Sequence, residues 1–143
     1  MASFYIAGKW QERDRVKEVY RTLRSMGHKI TCNWTDHEEP KEDILEWNRK
    51  YAFDDILGVK KCDIFLMILE KDYNYKGAWV EMGMAIAYNK PIAIIGHAGD
   101  SCLFTNLPAV KVFDDLLDFW QFLPTINMTA WNNGTGAIME NDD

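Results

Sequence analysis

The sequence predicts a single-domain α/β protein with a doubly wound, mostly parallel sheet of about five strands flanked by helices. Three observations carry that expectation. Asp63-Ile64-Phe65-Leu66-Met67-Ile68-Leu69 and Pro91-Ile92-Ala93-Ile94-Ile95-Gly96 are nearly continuously apolar over strand length, as in parallel strands covered on both faces. Such runs alternate with segments whose apolar residues recur at helical spacing, in the order β-α-β-α-β-α-β-β-α. At 143 residues the chain suits one core.

Phe4-Tyr5-Ile6-Ala7 reads as the first strand, ended by Gly8, and Val16, Val19, Tyr20 and Leu23 mark the helix that follows. Gly27 should stop that helix, and His28 to Asn33 alternates toward a second strand. Trp34 to Pro40 is turn-like. Lys41 to Val59 carries Ile44, Leu45, Trp47, Ile56 and Leu57 among charges, as one helix or a broken pair would. After the central strand, residues 70–76 form a polar loop, and Ala78 to Tyr88 a mostly apolar helix stopped by Asn89-Lys90-Pro91. Val110-Lys111-Val112-Phe113 is a short edge strand, and Asp114 to Phe122 an amphipathic helix. Right-handed crossovers make this a Rossmann- or flavodoxin-like arrangement, in which ligands bind outside the carboxyl ends of the strands. Gly8 to Trp10, Trp34 to His37, the 70–77 loop and Gly96 to Asn106 fall at that edge. The domain is expected over 1–124, with a polar tail over 125–143.

No apolar run approaches the roughly 20 residues that span a bilayer, and the opening MASFYIAGKW lacks the character of a signal peptide, so a cytoplasmic protein is expected. A net charge of −6 argues against a nucleic-acid polymer or an anionic membrane as partner. Cys32, Cys62 and Cys102 form no C-x-x-C pair and read as buried free thiols. His28, His37 and His97 have no metal-ligand spacing, and no metal is expected. The chain has no G-x-G-x-x-G, Walker A or G-x-S-x-G sequence.

Glu81 is the most informative residue, a carboxylate one turn into the otherwise apolar helix Ala78-Trp79-Val80-Glu81-Met82-Gly83-Met84-Ala85. Near a helix N-terminus the dipole should keep it ionised, as a nucleophile or base requires; a capping glutamate is the alternative. Gly77, Ala78, Gly83, Ala85 and Ala87 should let this helix pack close to the sheet and leave room for a ligand. Asp54 or Asp55, near the end of its helical segment, can supply a second carboxyl, one group attacking a glycosidic carbon while the other protonates the leaving group. Tyr5, Trp10, Trp34, Tyr73, Tyr75 and Trp79 bring rings to the ligand edge, where they can stack on a planar base or simply pack. Lys9 can meet a phosphate or remain a solvated loop residue.

Three elements together resemble the nucleoside 2-deoxyribosyltransferase family and its relatives that hydrolyse deoxynucleoside 5′-monophosphates. They are Phe4-Tyr5-Ile6-Ala7-Gly8-Lys9-Trp10, the G-x-x-x-E-x-G-x-A pattern from Gly77 to Ala85, and Asp55, eight residues before Asp63. The resemblance spans about Phe4 to Phe122. It implies that Glu81 attacks C1′ of deoxyribose, Asp55 binds and protonates the leaving base, Tyr5 positions Glu81, and Gly8 lets substrate approach. It implies a deoxynucleoside or deoxynucleotide and a free nucleobase as substrates, with no metal or organic cofactor. Six residues before Glu81, where the transferases carry aspartate and the hydrolases serine, stands Tyr75; Lys9 replaces a phosphate-binding serine, while Trp10 is transferase-like. The resemblance also implies a homodimer or larger homo-oligomer whose site is completed by a neighbour, with Asn106, and then Thr105, as the contact.

Overall fold

In the computed structural model, residues 1–38, 42–126 and 131 are described. Five strands form one all-parallel sheet in the order β2-β1-β3-β4-β5. The strands are β1 (Ser3–Ala7), β2 (Lys29–Ile30), β3 (Ile64–Ile68), β4 (Ile92–Ile95) and β5 (Val110–Phe113). The helices are α1 (Arg13–Ser25), α2 (Ile44–Lys61), α3 (Lys76–Ala87) and α4 (Leu116–Phe122). β1 connects outward to β2 on one side and lies beside β3 on the other, so the winding reverses between β1 and β3. A crevice opens at such a switch point, at the carboxyl ends of the strands.

Every residue of β3 and β4 is buried, which is why both read as unbroken apolar runs. α1 buries Val16, Val19, Tyr20 and Leu23 and ends as expected: Gly27 takes φ +89°, its N–H bonds Arg24 O, and the His28 N–H reaches back to Leu23 O at 3.0 Å. A residue with a Cβ is disfavoured in that left-handed turn. α2 is one helix rather than a broken pair. Asp43 accepts a hydrogen bond from the Glu46 N–H and starts it.

β2 is shorter than the His28 to Asn33 expectation. Past Ile30 one more ladder bond forms, from the Thr31 N–H to Phe4 O at 2.9 Å; the Thr31 hydroxyl then donates to Gly58 O of α2 at 2.7 Å and Cys32 O accepts from the Tyr20 hydroxyl of α1, so beyond Thr31 the chain is tied to helices. α3 begins at Lys76, two residues before the expected start. α4 begins at Leu116, with Asp115 as its cap. Only Cys62 among the three free cysteines is buried; Cys32 and Cys102 are half-buried. The expected tail over 125–143 lies outside the described residues except Thr125, Ile126 and Trp131. Trp131 is buried and donates its indole N–H to Ala109 O at 2.7 Å. Among the described residues, no helix is long and apolar enough to cross a membrane.

Candidate active site

A cavity of about 530 Å³ opens at the switch point. The turn after β1 supplies Gly8, Lys9, Trp10 and Gln11, the segment after β2 supplies Trp34 and His37, and the start of α3 supplies Tyr75 to Ala78 and Glu81. The remaining wall is one face of α2, made of Trp47, Asn48, Tyr51, Ala52 and Asp55. Seven expected site residues thus line one cavity, Gly8, Lys9, Trp10, Asp55, Tyr75, Gly77 and Glu81, and Tyr5 stands behind them, its hydroxyl reaching Glu81 from β1. Asn106 is not among them. It is exposed, on the turn after β4, with its side-chain amide donating to Leu103 O at 3.1 Å.

The chemistry concentrates where Tyr5, Asp55 and Glu81 meet. Tyr5 is fully buried in β1, its ring stacked on Phe65 of β3 with centroids 5.7 Å apart, and its hydroxyl donates to Glu81 Oε2. The same hydroxyl also favours the ionised form of Asp55. Burial holds the phenol well above its ordinary value, helped by both carboxylates, so Tyr5 remains a proton donor. Cys32 Sγ lies 3.5 Å from Asp55 Oδ1 and donates to it.

Glu81 is pushed up to about 8, chiefly by burial; the Tyr5 hydroxyl opposes this and the charge of Asp55 adds to it. The expected ionisation by the helix dipole is therefore outweighed. Because α3 starts at Lys76, Glu81 is its sixth residue, beyond the first turn where the dipole acts strongly. Asp55 is raised to about 6, again chiefly by burial, against the Cys32 thiol and the Tyr5 hydroxyl. Between about pH 6 and 8 the two carboxyls together hold one proton, which is the condition for one to act as base or nucleophile and the other as acid.

Other expectations are redistributed. Gly77 and Gly83 face open space, so close packing on the sheet is the work of Ala78, Met82 and Ala85. Gly8 is tight against the protein: a Cβ there would lie 3.2 Å from Val16 of α1. Trp10 and Trp34 sit 6.3 Å apart, with Trp34 fixed by its indole N–H on Ile6 O at 2.6 Å and Trp10 under the Arg13 guanidinium. The ring of Tyr75 lines the cavity while its hydroxyl donates to Lys71 O at 2.8 Å. Trp79 packs toward Gly99, and Tyr73 is exposed beside Tyr75. Lys9 donates through Nζ to Asn74 O.

Sequence reasoning missed the α2 wall. Trp47 and Tyr51 pack edge to face at 4.7 Å, and His37 stacks on Tyr51 with centroids 3.6 Å apart. The i, i+4, i+8 spacing of Trp47, Tyr51 and Asp55 is the signal that could have found it, because it puts three residues on one helix face. Gly58 was missed as well; a Cβ there would lie 2.7 Å from Cys32 Cβ and 2.9 Å from the Tyr5 ring. Among the described residues no cluster of histidine, cysteine or acidic side chains is arranged to hold a metal.

Comparison with known proteins agrees with the geometry. The 2-deoxyribosyltransferase of Bacillus psychrosaccharolyticus superposes with a TM-score of 0.70 at 19% identity, covering 91% of this chain and 96% of that one. The Clostridium botulinum CMP N-glycosidase BcmB gives 0.59 at 19% identity, covering 87% and 99%. A conserved protein of Enterococcus faecalis V583 gives 0.53 at 13% identity, covering 96% and 98%. At these identities the likeness is one of fold. No curated protein sequence matches the chain significantly. Residues 4–136 match the family model for nucleoside 2-deoxyribosyltransferase, and the chain belongs to that family of enzymes acting on N-glycosidic bonds.

Proposed function

We propose that this protein is a nucleoside 2-deoxyribosyltransferase working through a covalent deoxyribosyl ester on Glu81. The observation that carries the reading is the Tyr5–Glu81 hydrogen bond beside Asp55 at the wall of the crevice. The proton that the pair shares, which rests on Glu81 as the group with the higher value, first passes to Asp55; a Glu81 carboxylate oxygen then attacks C1′ as the C1′–N bond breaks, and the bonding pair leaves with the base, which takes the Asp55 proton. Tyr5 holds the attacking carboxylate in position and stabilises its charge. A second base then attacks C1′ through nitrogen, Glu81 departs as carboxylate, and the proton of the incoming base returns to Asp55. Two displacements give retention. A deoxy sugar suits this route, because a 2′-hydroxyl withdraws electrons from the oxocarbenium-like transition state. The rings of Trp10, Trp34, His37, Trp47 and Tyr51 that line the cavity suit a planar base.

Hydrolysis of a 2-deoxynucleoside 5′-monophosphate is the second reading, favoured by Lys9 and Lys76, which both line the cavity next to the uncapped start of α3. Incubating a deoxynucleoside with a different free base separates the two: the new deoxynucleoside is expected, and base release that requires a 5′-phosphate would select hydrolysis. Mass spectrometry of the quenched enzyme should find a deoxyribosyl adduct on the peptide containing Glu81. Glu81→Ala should lose several orders of magnitude in rate while still binding substrate; an unchanged rate would overturn the assignment of the nucleophile.

A further inference from the structure

Asp55 needs an orientation as well as a proton, and α2 alone does not provide one. The carboxyl lies on a helix face turned toward a crevice, where its like-charged neighbours are Asp54 on the same helix and Glu81 on α3. The Cys32 thiol donates to it at 3.5 Å, whereas the one proton of the Tyr5 hydroxyl goes to Glu81. We propose that Cys32 is a positioning residue, whose thiol donates to Asp55 Oδ1 and aims that carboxyl at the leaving base; this rests on the glycosidic reading above.

The placement of the sulfur is fixed from three sides. The main chain of Cys32 is held by Tyr20 of α1, whose hydroxyl donates to Cys32 O at 3.3 Å. The preceding Thr31 is tied to Gly58 O of α2 at 2.7 Å. Gly58 itself, by having no Cβ, lets α2 come against Cys32 and the Tyr5 ring. One turn up the same helix stands Asp55, so the contact that admits α2 also delivers the carboxyl to the thiol. Tyr20, Tyr5, Asp54, Asp55 and Glu81 are the titratable groups that act on or with Cys32, and His37 and Lys61 stand on the wall of the cavity it borders. Burial, with the nearby carboxylates, raises the thiol to about 12, so it stays an S–H donor throughout the working range. A thiol is a weak donor. It can orient Asp55 while leaving that carboxyl able to hold a proton near neutrality, where a stronger donor would favour the ionised form.

Cys32 also borders a second cavity of about 290 Å³, together with Asn33, Asp54, Leu57 and Lys61, which gives a small reagent a route to the sulfur. The test therefore begins with the native thiol. Iodoacetamide labelling of Cys32 across pH 7 to 11, read by peptide mass mapping, is compared in wild type and Asp55→Asn. Without the carboxylate the thiolate forms more easily, and labelling at a given pH should rise about tenfold, the equivalent of one pK unit. Equal rates in the two proteins would overturn the contact, whatever the enzyme does. The second measurement is the pH profile of kcat/KM. In Cys32→Ala the limb near pH 6 should move upward and kcat fall about tenfold, and Cys32→Ser should bring the limb back to or below its original position. Superimposable profiles in all three proteins, with changes confined to Tm, would show a packing role only. If wild type neither exchanges nor releases bases, the glycosidic reading fails, and the labelling comparison still decides the thiol–carboxyl contact.

Discussion

At the scale of single residues, the site is organised around a carboxylate that the protein makes costly to ionise. Glu81 has its folded-state value raised to about 8 from an ordinary 4.5, chiefly by burial. A carboxyl raised in this way contributes stability that is fully present below pH 4.5 and is lost as pH rises through about 8. Wild type should therefore lose Tm between pH 5 and 9, and Glu81→Gln, which has no proton to lose, should flatten that dependence by several degrees in calorimetry. A parallel slope in both proteins would mean that Glu81 titrates as an ordinary surface acid. Tyr5→Phe probes the same balance from the donor side. The phenol lowers the value of Glu81, so its removal should push the upper limb of the kcat/KM profile, near pH 8, further up and reduce the rate by about ten- to a thousandfold. The sequence showed Glu81 because a charge in an apolar helix stands out. It could not show the burial that governs ionisation, since that depends on Tyr5, 76 positions away, and on Asp55 from another helix.

At the scale of elements, α2 decides whether the three groups meet. Its apolar residues are scattered: Ile44, Leu45, Phe53 and Leu57 are exposed while Gly58 and Val59 are buried. That scatter is why the sequence left one helix or two open and why Trp47 and Tyr51 passed for ordinary helix residues. What locks the helix to β1 is the absence of a side chain at Gly58. Gly58→Ala should gain up to about 1 kcal/mol of helix propensity. It should lose more, about 1–3 kcal/mol, because the new methyl would overlap Cys32 Cβ and the Tyr5 ring unless α2 backs away. The expected result is a lower Tm together with a disproportionate loss of kcat, since Asp55 moves with the helix. A variant at least as stable and as active as wild type would show that the contact relaxes without moving the site. α3 teaches the complementary lesson. Its G-x-x-x-E-x-G-x-A pattern was legible, but a Cβ at Gly77 or Gly83 would meet nothing, so the pattern marked Glu81 for reasons that packing of the described residues does not supply.

At the scale of the whole molecule, the alternation of buried strands and helices sufficed for a doubly wound, mostly parallel sheet of about five strands and so for the carboxyl edge on which the crevice opens, while the order β2-β1-β3-β4-β5 and the parallel course of every strand come from the structure. Chain order is legible in this way because parallel strands buried on both faces leave a one-dimensional record. What closes the far edge left no such record. The Asn- and Gly-rich composition after Pro124 suggested a tail, yet the family match continues to residue 136 and Trp131 is buried at 4% exposure. Its indole N–H donates to Ala109 O, at the residue preceding β5, and its ring meets Phe122 of α4 edge to face at 5.8 Å. β5 is the outer strand of the sheet, with residues half or fully exposed, so Trp131 covers an edge that the helices leave thin. Trp131→Ala should then cost about 3 kcal/mol, a core-sized loss, while leaving the cavity at the switch point between β1 and β3 intact. Denaturant unfolding should show that loss with kcat little changed in the folded protein. A cost within about 0.5 kcal/mol, the level of an ordinary surface substitution, would instead mean that the domain is complete near residue 124.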